Sequence, residues 1–414
     1  MILTNAKIFN GREFIKENTV IIKNGIIDAL VFRSLKKHPG TWNLEPGTRN
    51  PEPGTWNLEP GTRNSGSPHI LEPGTWNLEQ NILSPGLIDL HTHGCGGYSY
   101  LEIDTKEKLE LVRKSYAKLG TTSVMFTNTY SENETRHLKI AAKYGKDKYP
   151  GARILGVYLE SPFISREKRG GIENHYIVDA PAKNYLSIIK KIYKNCPNLR
   201  IVAVAPERPD AEKIIKKFRK DGIQVAMGHS AADYNETKKG IEWGIRHTVH
   251  FFNAMTSMHH REPGAITALM ETPGILGEII ADGNHIHPAV INLAYKVMGR
   301  DRIALITDAT GLLGVKAGVY ERMNFGKVTA KGASFYNKHG VLIGSNVPQL
   351  TMCKNIKKWL GVGNAIALQM ATLNPAKVVP DMKIGQIKKG YKADFIVVDE
   401  ALNLKKVFVA GEQV

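Results

Sequence analysis

A chain of 414 residues, 42% hydrophobic and 23% charged, can bury a large core in more than one domain, and none of its apolar runs approaches the roughly 18–20 residues of a membrane span. Cys95, Cys196 and Cys353 are too few for a disulfide framework, and the opening MILTNAKIFN lacks the basic-then-apolar pattern of a signal peptide, so a cytoplasmic protein with reduced thiols is expected. The net charge of +17 suits nucleic acid and an anionic small substrate alike and does not decide between them, but Lys190, Lys191, Lys194, Lys213, Lys216 and Lys217 fall at helical spacings of solvated faces rather than in one basic stripe.

Residues 1–31 alternate in short apolar runs, ILTNAKIF and TVIIKNGIIDALVF, with Asn24-Gly25 as a hairpin turn. Residues 39–79 then repeat with a period of seven, PGTWNLE alternating with PGTRN variants. Pro and Gly in every unit forbid a coiled-coil helix. The word GGAACCT, read in tandem through all three frames, encodes Gly-Thr-Trp-Asn-Leu-Glu-Pro, and single base changes separate Trp42 from Arg49 and Leu44 from Pro51. The segment reads as translated repetitive DNA forming a flexible surface loop, whose deletion is expected to leave turnover nearly unchanged. The alternative is a binding module presenting Trp42, Trp56 and Trp76.

From about residue 85 to 375 the pattern changes. GLIDLHTH, TTSVMFT, ILGVYLE, IVAVAPE, IQVAMGH, HTVHFF, GEIIADG and IALITDA alternate with amphipathic, Lys-rich stretches. Eight buried strands with intervening helices predict an α/β protein, a (β/α)8 TIM-like barrel, with a doubly wound open sheet as the alternative. The final stretch, GQIKKGYKADFIVVDE and LKKVFVAGEQV, is β-rich like the start. Residues 1–84 and 376–414 are therefore expected to form one small β domain beside the barrel.

His91, His93, Glu160, His229, His250 and Asp308 each sit at or just past the C-terminal end of an apolar run. In a parallel barrel those ends share one face, where active sites are built. Any one of them alone reads as a capping or core residue; six at the ends of five strands read as a constellation. Imidazoles and a carboxylate without cysteine suit Zn²⁺ or another borderline divalent ion, whose bound water ionises near pH 7. His91 and His93, at i and i+2, point to one side of a strand. Asp308 is the expected general base and acid, and His285 in ADGNHIHP can polarise a carbonyl or steady an oxyanion. His287 reads as a hydrogen-bonded loop residue.

PGLIDLHTHG, ILGVYLESPF, VAPE, VAMGHSAA, HTVHFFNAM, HHREPG, ADGNHIHP, LITDATG and GYKADFIVVD resemble the N-acetylglucosamine-6-phosphate deacetylases of the amidohydrolase superfamily, in order and spacing, over nearly the whole chain outside the repeat. PGLIDLHTHG and LITDA mark only the superfamily, whereas HTVHFFNAM followed by HHREPG is far more specific. The resemblance implies a TIM-like barrel with a small β-sandwich, a homodimer, and hydrolysis of N-acetylglucosamine 6-phosphate to glucosamine 6-phosphate and acetate. It implies Glu160, His229 and His250 as ligands of one essential ion and Asp308 as acid and base, with His91 and His93 able to hold a second ion bridged by the Glu, as in those members of the family that carry the pair; other members work with one ion. It also assigns Asn253, the backbone of Ala254, Arg261 and His285 to the sugar phosphate, with no nucleic-acid or membrane partner.

The chain departs from the family pattern at several points. Ser161 follows the Glu where Gly is common, and Arg169-Gly170-Gly171-Ile172 stands where a His reaching a neighbour's phosphate is usual, with His175 three residues on. GSNVPQLTM is a few residues longer than the usual form. These leave the metal chemistry intact and open the substrate's identity. The alternatives are an N-acetylgalactosamine-6-phosphate deacetylase, another deacylase such as one acting on D-amino acids, and a non-catalytic scaffold.

Overall fold

The computed structural model describes residues 1–32, 74–146, 151–322 and 326–414. Eight short parallel strands alternate with helices through its middle. They are β1 (Leu87–Asp89), β2 (Thr121–Asn128), β3 (Arg153–Phe163), β4 (Leu199–Val204), β5 (Gln224–Met227), β6 (His247–Thr248), β7 (Gly277–Ile279) and β8 (Ile303–Leu305). The helices that follow them in turn are α1 (Lys106–Lys118), α2 (Arg136–Tyr144), α3 (Tyr185–Asn195), α4 (Ala211–Lys220), α5 (Tyr234–Trp243), α6 (Gly264–Glu271), α7 (Pro288–Met298) and α8 (Gln349–Leu360).

Strands β1 to β6 form one parallel sheet in chain order, and β7 with β8 a second parallel pair. A parallel bridge between His247 and Leu276, and a 2.6 Å bond from the Phe251 N–H to the Glu278 carbonyl, carry β6 on to β7. On the other side the Gln349 side chain of α8 donates to the carbonyls of Ile88 and Leu305 at 2.7 and 2.8 Å. The Asp308 N–H donates to the His91 carbonyl at 2.8 Å.

All eight residues of β2, TTSVMFTN, are buried, the signature of a strand covered on both faces. Helix α4 shows the complementary pattern: Ala211, Ile214, Ile215 and Phe218 are buried while Lys213 and Lys216 are exposed, one apolar stripe per 3.6-residue turn. Lys190, Lys191 and Lys194 are likewise exposed. Among the described residues no helix is long and apolar enough to cross a membrane.

Asp89 fastens the first strand to the segment after the last. Its buried carboxylate accepts from Thr307 Oγ1 at 2.5 Å, from the Thr307 N–H at 3.2 Å and from the His91 N–H at 3.3 Å. Burial pushes its pKa up to about 7 against the lowering effect of those bonds. The staple holds the stretch bearing His91 against the stretch bearing Asp308. Thr307→Val, which strips a donor from a buried carboxyl at nearly constant volume, is expected to cost about 1–3 kcal/mol in denaturant unfolding at fixed metal concentration. An unchanged midpoint and slope would remove the staple from this account.

Both termini contribute to two further sheets. One runs in the order Ile26–Val31, Thr19–Lys23, Ile2–Thr4, Thr75–Asn77; the other Lys7–Ile8, Ile82–Pro85, Phe395–Val398, Leu404–Val409, Glu412–Gln413. They share an apolar cluster in which Leu3, Val20 and Ile22 meet Leu83, Phe395, Val397 and Phe408. Asn24 and Gly25, at φ 50° and 73°, make the expected two-residue turn, whose positive φ at both positions explains the Asn-Gly pair.

The structure differs from the sequence reading in two places. The last copy of the heptapeptide is no loop: Thr75–Asn77 pairs in parallel with Ile2–Thr4, Leu78 is buried, and the Trp76 ring meets Phe408 edge-on at 5.8 Å. A deletion through residue 79 therefore takes an edge strand and a core leucine with it, and the expectation that it is harmless does not stand for this copy. Trp42 and Trp56 lie outside the described residues. The second difference is an antiparallel meander between β8 and α8, formed by Gly318–Arg322, Gly326–Lys331, Ser334–Asn337 and Leu342–Ser345 around Leu312, Val328, Ala330 and Phe335.

Candidate metal centre

His91 and His93 follow β1, Glu160 lies in β3, and His229, His250 and Asp308 follow β5, β6 and β8. Parallel strands deliver all six to one end, and the structure brings them together. Glu160 Oε1 stands 2.9 Å from His229 Nε2 and 3.1 Å from His250 Nε2, and the two Nε2 atoms are 3.1 Å apart. Tetrahedral ligands 2.0–2.1 Å from a zinc-sized ion stand about 3.3 Å from one another. Three near-equal edges of that length fit ligands converging on one cation.

The same carboxylate faces a second pair. His91 Nε2 is 3.4 Å from Glu160 Oε1, and His93 Nε2 is 3.5 Å from Oε2. Asp308 Oδ1 stands 3.1 Å from His93 Nε2 and 3.4 Å from His91 Nε2. Two candidate ligand groups thus share Glu160, one with His91 and His93 and one with His229 and His250.

Hydrogen bonding supports the same reading. His229 Nδ1–H donates to the Lys168 carbonyl at 2.8 Å, which leaves Nε2 the lone pair a ligand needs. Both ring nitrogens of His91 and Nδ1 of His250 are buried without a hydrogen-bond partner among the described residues. Burial raises the Glu160 carboxyl, yet the His91 charge and the close His229 and His250 rings hold it well below the carboxylate range. Burial opposes ionisation of Asp308 too, and the His93 bond with the charges of His91 and His93 overcomes it. Burial pushes His250 down. At His91 burial also favours the neutral ring, but the Glu160 and Asp308 charges outweigh it and drive its pKa well up. Ionised carboxylates that draw a proton onto a fully buried imidazole mark a centre that demands positive charge, which a divalent cation supplies.

The backbone is strained at the same place. His229, His250 and Asp308 have φ values of 49°, 25° and 48°, and Phe252 and Ala254 stand at 78° and 53°. Each such non-glycine residue costs about 1–3 kcal/mol and persists where surrounding structure over-determines it. Sharp turns at the strand ends aim the side chains inward.

Residues 82–414 match the amidohydrolase family. The chain belongs to that family. It is similar to the N-acetylglucosamine-6-phosphate deacetylase of Vibrio furnissii, at 33% identity over 335 residues, covering 80% of this chain and 82% of that protein. It is also similar to the N-acetylgalactosamine-6-phosphate deacetylase of Escherichia coli O157:H7, at 31% identity over 334 residues, covering 80% and 87% respectively. Among solved structures, that of N-acetylglucosamine-6-phosphate deacetylase from Pasteurella multocida superposes with a TM-score of 0.82 at 26% identity, covering 100% of this chain and 99% of that chain.

In this amidohydrolase the outer residues predicted from the sequence lie on the loops after β6 and β7. The Asn253 amide donates to the carbonyls of His250 and Phe251 at 3.2 and 3.4 Å, and the Ala254 carbonyl accepts from the Ser230 N–H at 3.0 Å, tying the loops after β5 and β6. Arg261 is exposed further along the same loop. His285 Nδ1–H donates to Asp282 Oδ2 at 2.6 Å, and its backbone N–H donates to Asp282 Oδ1 at 2.9 Å. Among the described residues no hydrogen bond or ion pair joins Arg261 or His285 to the six central side chains. His287 caps α7, its Nδ1 accepting from the Ala289 N–H at 3.2 Å. His175 is exposed, its ring 3.9 Å from that of Tyr176. The Ser161 hydroxyl accepts from the Tyr130 N–H at 2.8 Å.

Sequence reasoning passed over Asp282, which orients His285, and Glu278, fully buried beneath His91. Glu278 did leave a signal, an acid inside the apolar run ILGEIIA, where an unpaired charge is costly.

Proposed function

We propose that this amidohydrolase hydrolyses the acetamide of N-acetylglucosamine 6-phosphate, releasing glucosamine 6-phosphate and acetate. The observation that carries the reading is Glu160, one carboxylate shared by two imidazole pairs with Asp308 against the second pair. The 33% identity to the Vibrio furnissii deacetylase supports the substrate class.

Glu160, His229 and His250 would hold the essential divalent ion, for which zinc is the choice, and His91 and His93 with Glu160 could hold a second. When bound, such an ion lowers the pKa of a water to about 7 and polarises the amide carbonyl. Asp308 takes a proton as base and returns it as acid to the departing amine nitrogen. Asp282 accepts from His285 Nδ1–H and orients the ring, so that an Nε2–H of the doubly protonated ring would donate to the acetyl oxygen. Arg261 grips the phosphate with its planar fork, while Asn253 and the Ala254 N–H contact the sugar phosphate.

The links from β6 to β7 and from β8 to β1 support closure of the eight strands as a (β/α)8 barrel over residues 85–375. The cluster between the two terminal sheets supports a β-sandwich from residues 1–84 and 376–414. We assign the enzyme to the cytoplasm as a homodimer.

Acetate release from N-acetylglucosamine 6-phosphate, its galacto epimer and the unphosphorylated sugar, with and without chelator, tests the whole reading. Fastest turnover of the gluco phosphate, abolished by chelator, is expected. Faster turnover of the galacto phosphate transfers the assignment to that epimer, which the Escherichia coli relative favours as the second reading. Absence of acetate from every substrate sinks both. Arg261→Ala is expected to raise KM for the phosphorylated sugar about 10- to 100-fold with kcat nearly kept, the loss of one charge-assisted pair. An equal loss on the unphosphorylated sugar would deny Arg261 that role.

A further inference from the structure

We propose that Glu278 is a positioning residue for the second metal site, its carboxylate accepting the Nδ1 proton of His91 and so presenting Nε2 as the ligating atom. Glu278 lies on β7 and is fully buried. Its Oε2 is 3.6 Å from His91 Nδ1, while His91 Nε2 on the opposite edge of the ring faces Glu160 and Asp308 at 3.4 Å each. A closure of a few tenths of an ångström makes the Nδ1–H···O bond. Among the described residues neither Glu278 oxygen has a hydrogen-bond partner, and neither has His91 Nδ1. Each is the polar group the other lacks.

Among the described residues one other imidazole faces this acid, at its other oxygen. His247 Nε2 stands 3.7 Å from Glu278 Oε1 and is likewise buried without a hydrogen-bond partner among the described residues, so each oxygen of Glu278 faces one imidazole and Oε2 is left to His91. Tyr158 packs edge-on against both imidazoles, 5.2 Å from the His91 ring and 6.0 Å from that of His247. The first ligand group does not need Glu278, because the Lys168 carbonyl already fixes the tautomer of His229. Carboxylates behind ligating histidines orient the ring and raise its basicity, and their removal typically weakens metal binding about 10- to 100-fold. Here the effect falls on one of two ions.

The inference rests on the metal reading above, and the test separates the two. Zinc bound per chain is measured across a buffered Zn²⁺ series for the wild type, Glu278→Leu and Glu278→Gln, with thermal unfolding in chelator as the fold control. Leu removes the acceptor at similar volume, and Gln keeps an oxygen in its place. The wild type is expected to bind two ions. Glu278→Leu should keep the first at unchanged affinity and bind the second about 10- to 100-fold more weakly, with Glu278→Gln in between. A His91→Asn, Glu278→Leu double variant should bind the second ion no more weakly than His91→Asn alone. Both Glu278 variants holding two ions at wild-type affinity, or losing both together, overturns the proposal, as does a wild type that binds one. A wild type that binds none overturns the metal reading itself.

Discussion

Asp308→Asn is expected to lower kcat for deacetylation about 10²- to 10⁴-fold, the usual worth of a positioned general acid or base, while bound metal and thermal midpoint stay near those of the wild type. The substitution keeps shape and removes the proton-carrying oxygen. Asp308 is set apart by its surroundings: it faces His93 Nε2 at 3.1 Å and His91 Nε2 at 3.4 Å, and these imidazoles hold it ionised against burial. A carboxylate kept charged is in the form that accepts a proton. KM should change little, because the residue acts on the reacting bond. Turnover by the variant within a few-fold of the wild type would remove Asp308 from proton transfer.

Glu160→Ala is expected to have the larger effect on metal content. Its Oε1 serves His229, His250 and His91, and its Oε2 serves His93, so one truncation strips a ligand from both groups. Both ions should be lost at micromolar zinc and turnover should fall to background. Zinc should also cease to raise the thermal midpoint, since an ion at 1,000 times its dissociation constant stabilises the bound fold by about 4 kcal/mol. His93→Ala, which touches one group only, should lose a single ion. The contrast is the test. A Glu160→Ala protein that still takes up zinc tightly, or a His93→Ala protein emptied of both ions, would separate the two ligand groups and end the shared-carboxylate description. Circular dichroism of both variants distinguishes an emptied site from an unfolded chain.

Much of this centre was readable from local pattern. His91, His93, Glu160, His229, His250 and Asp308 stand out because each polar residue ends an apolar run, and strand ends of a parallel sheet converge. The Lys-rich helix faces and the Asn24-Gly25 turn follow from periods of 3.6 and from backbone sterics. The meander of residues 318–345 carries its own signal, alternating apolar residues broken by Gly326, Gly332 and Gly340, inside the stretch predicted as barrel. The final repeat copy was missed for a different reason. Its sequence matches earlier copies, and only its place beside Ile2–Thr4 makes Thr75–Asn77 a strand.

By itself the sequence determined which residue types stand at which strand ends, and hence the family and the class of chemistry. Tertiary structure alone decided that one carboxylate serves two imidazole pairs, that Asp89 ties β1 to Thr307 across 218 residues, and that Glu278 lies under His91. The reason is physical. Side-chain direction along a strand is set by neighbouring dihedral angles and shows in local spacing, whereas contacts such as Glu160 with His229 and His250, 69 and 90 residues apart, depend on sheet order and register. Those are properties of the packed core as a whole.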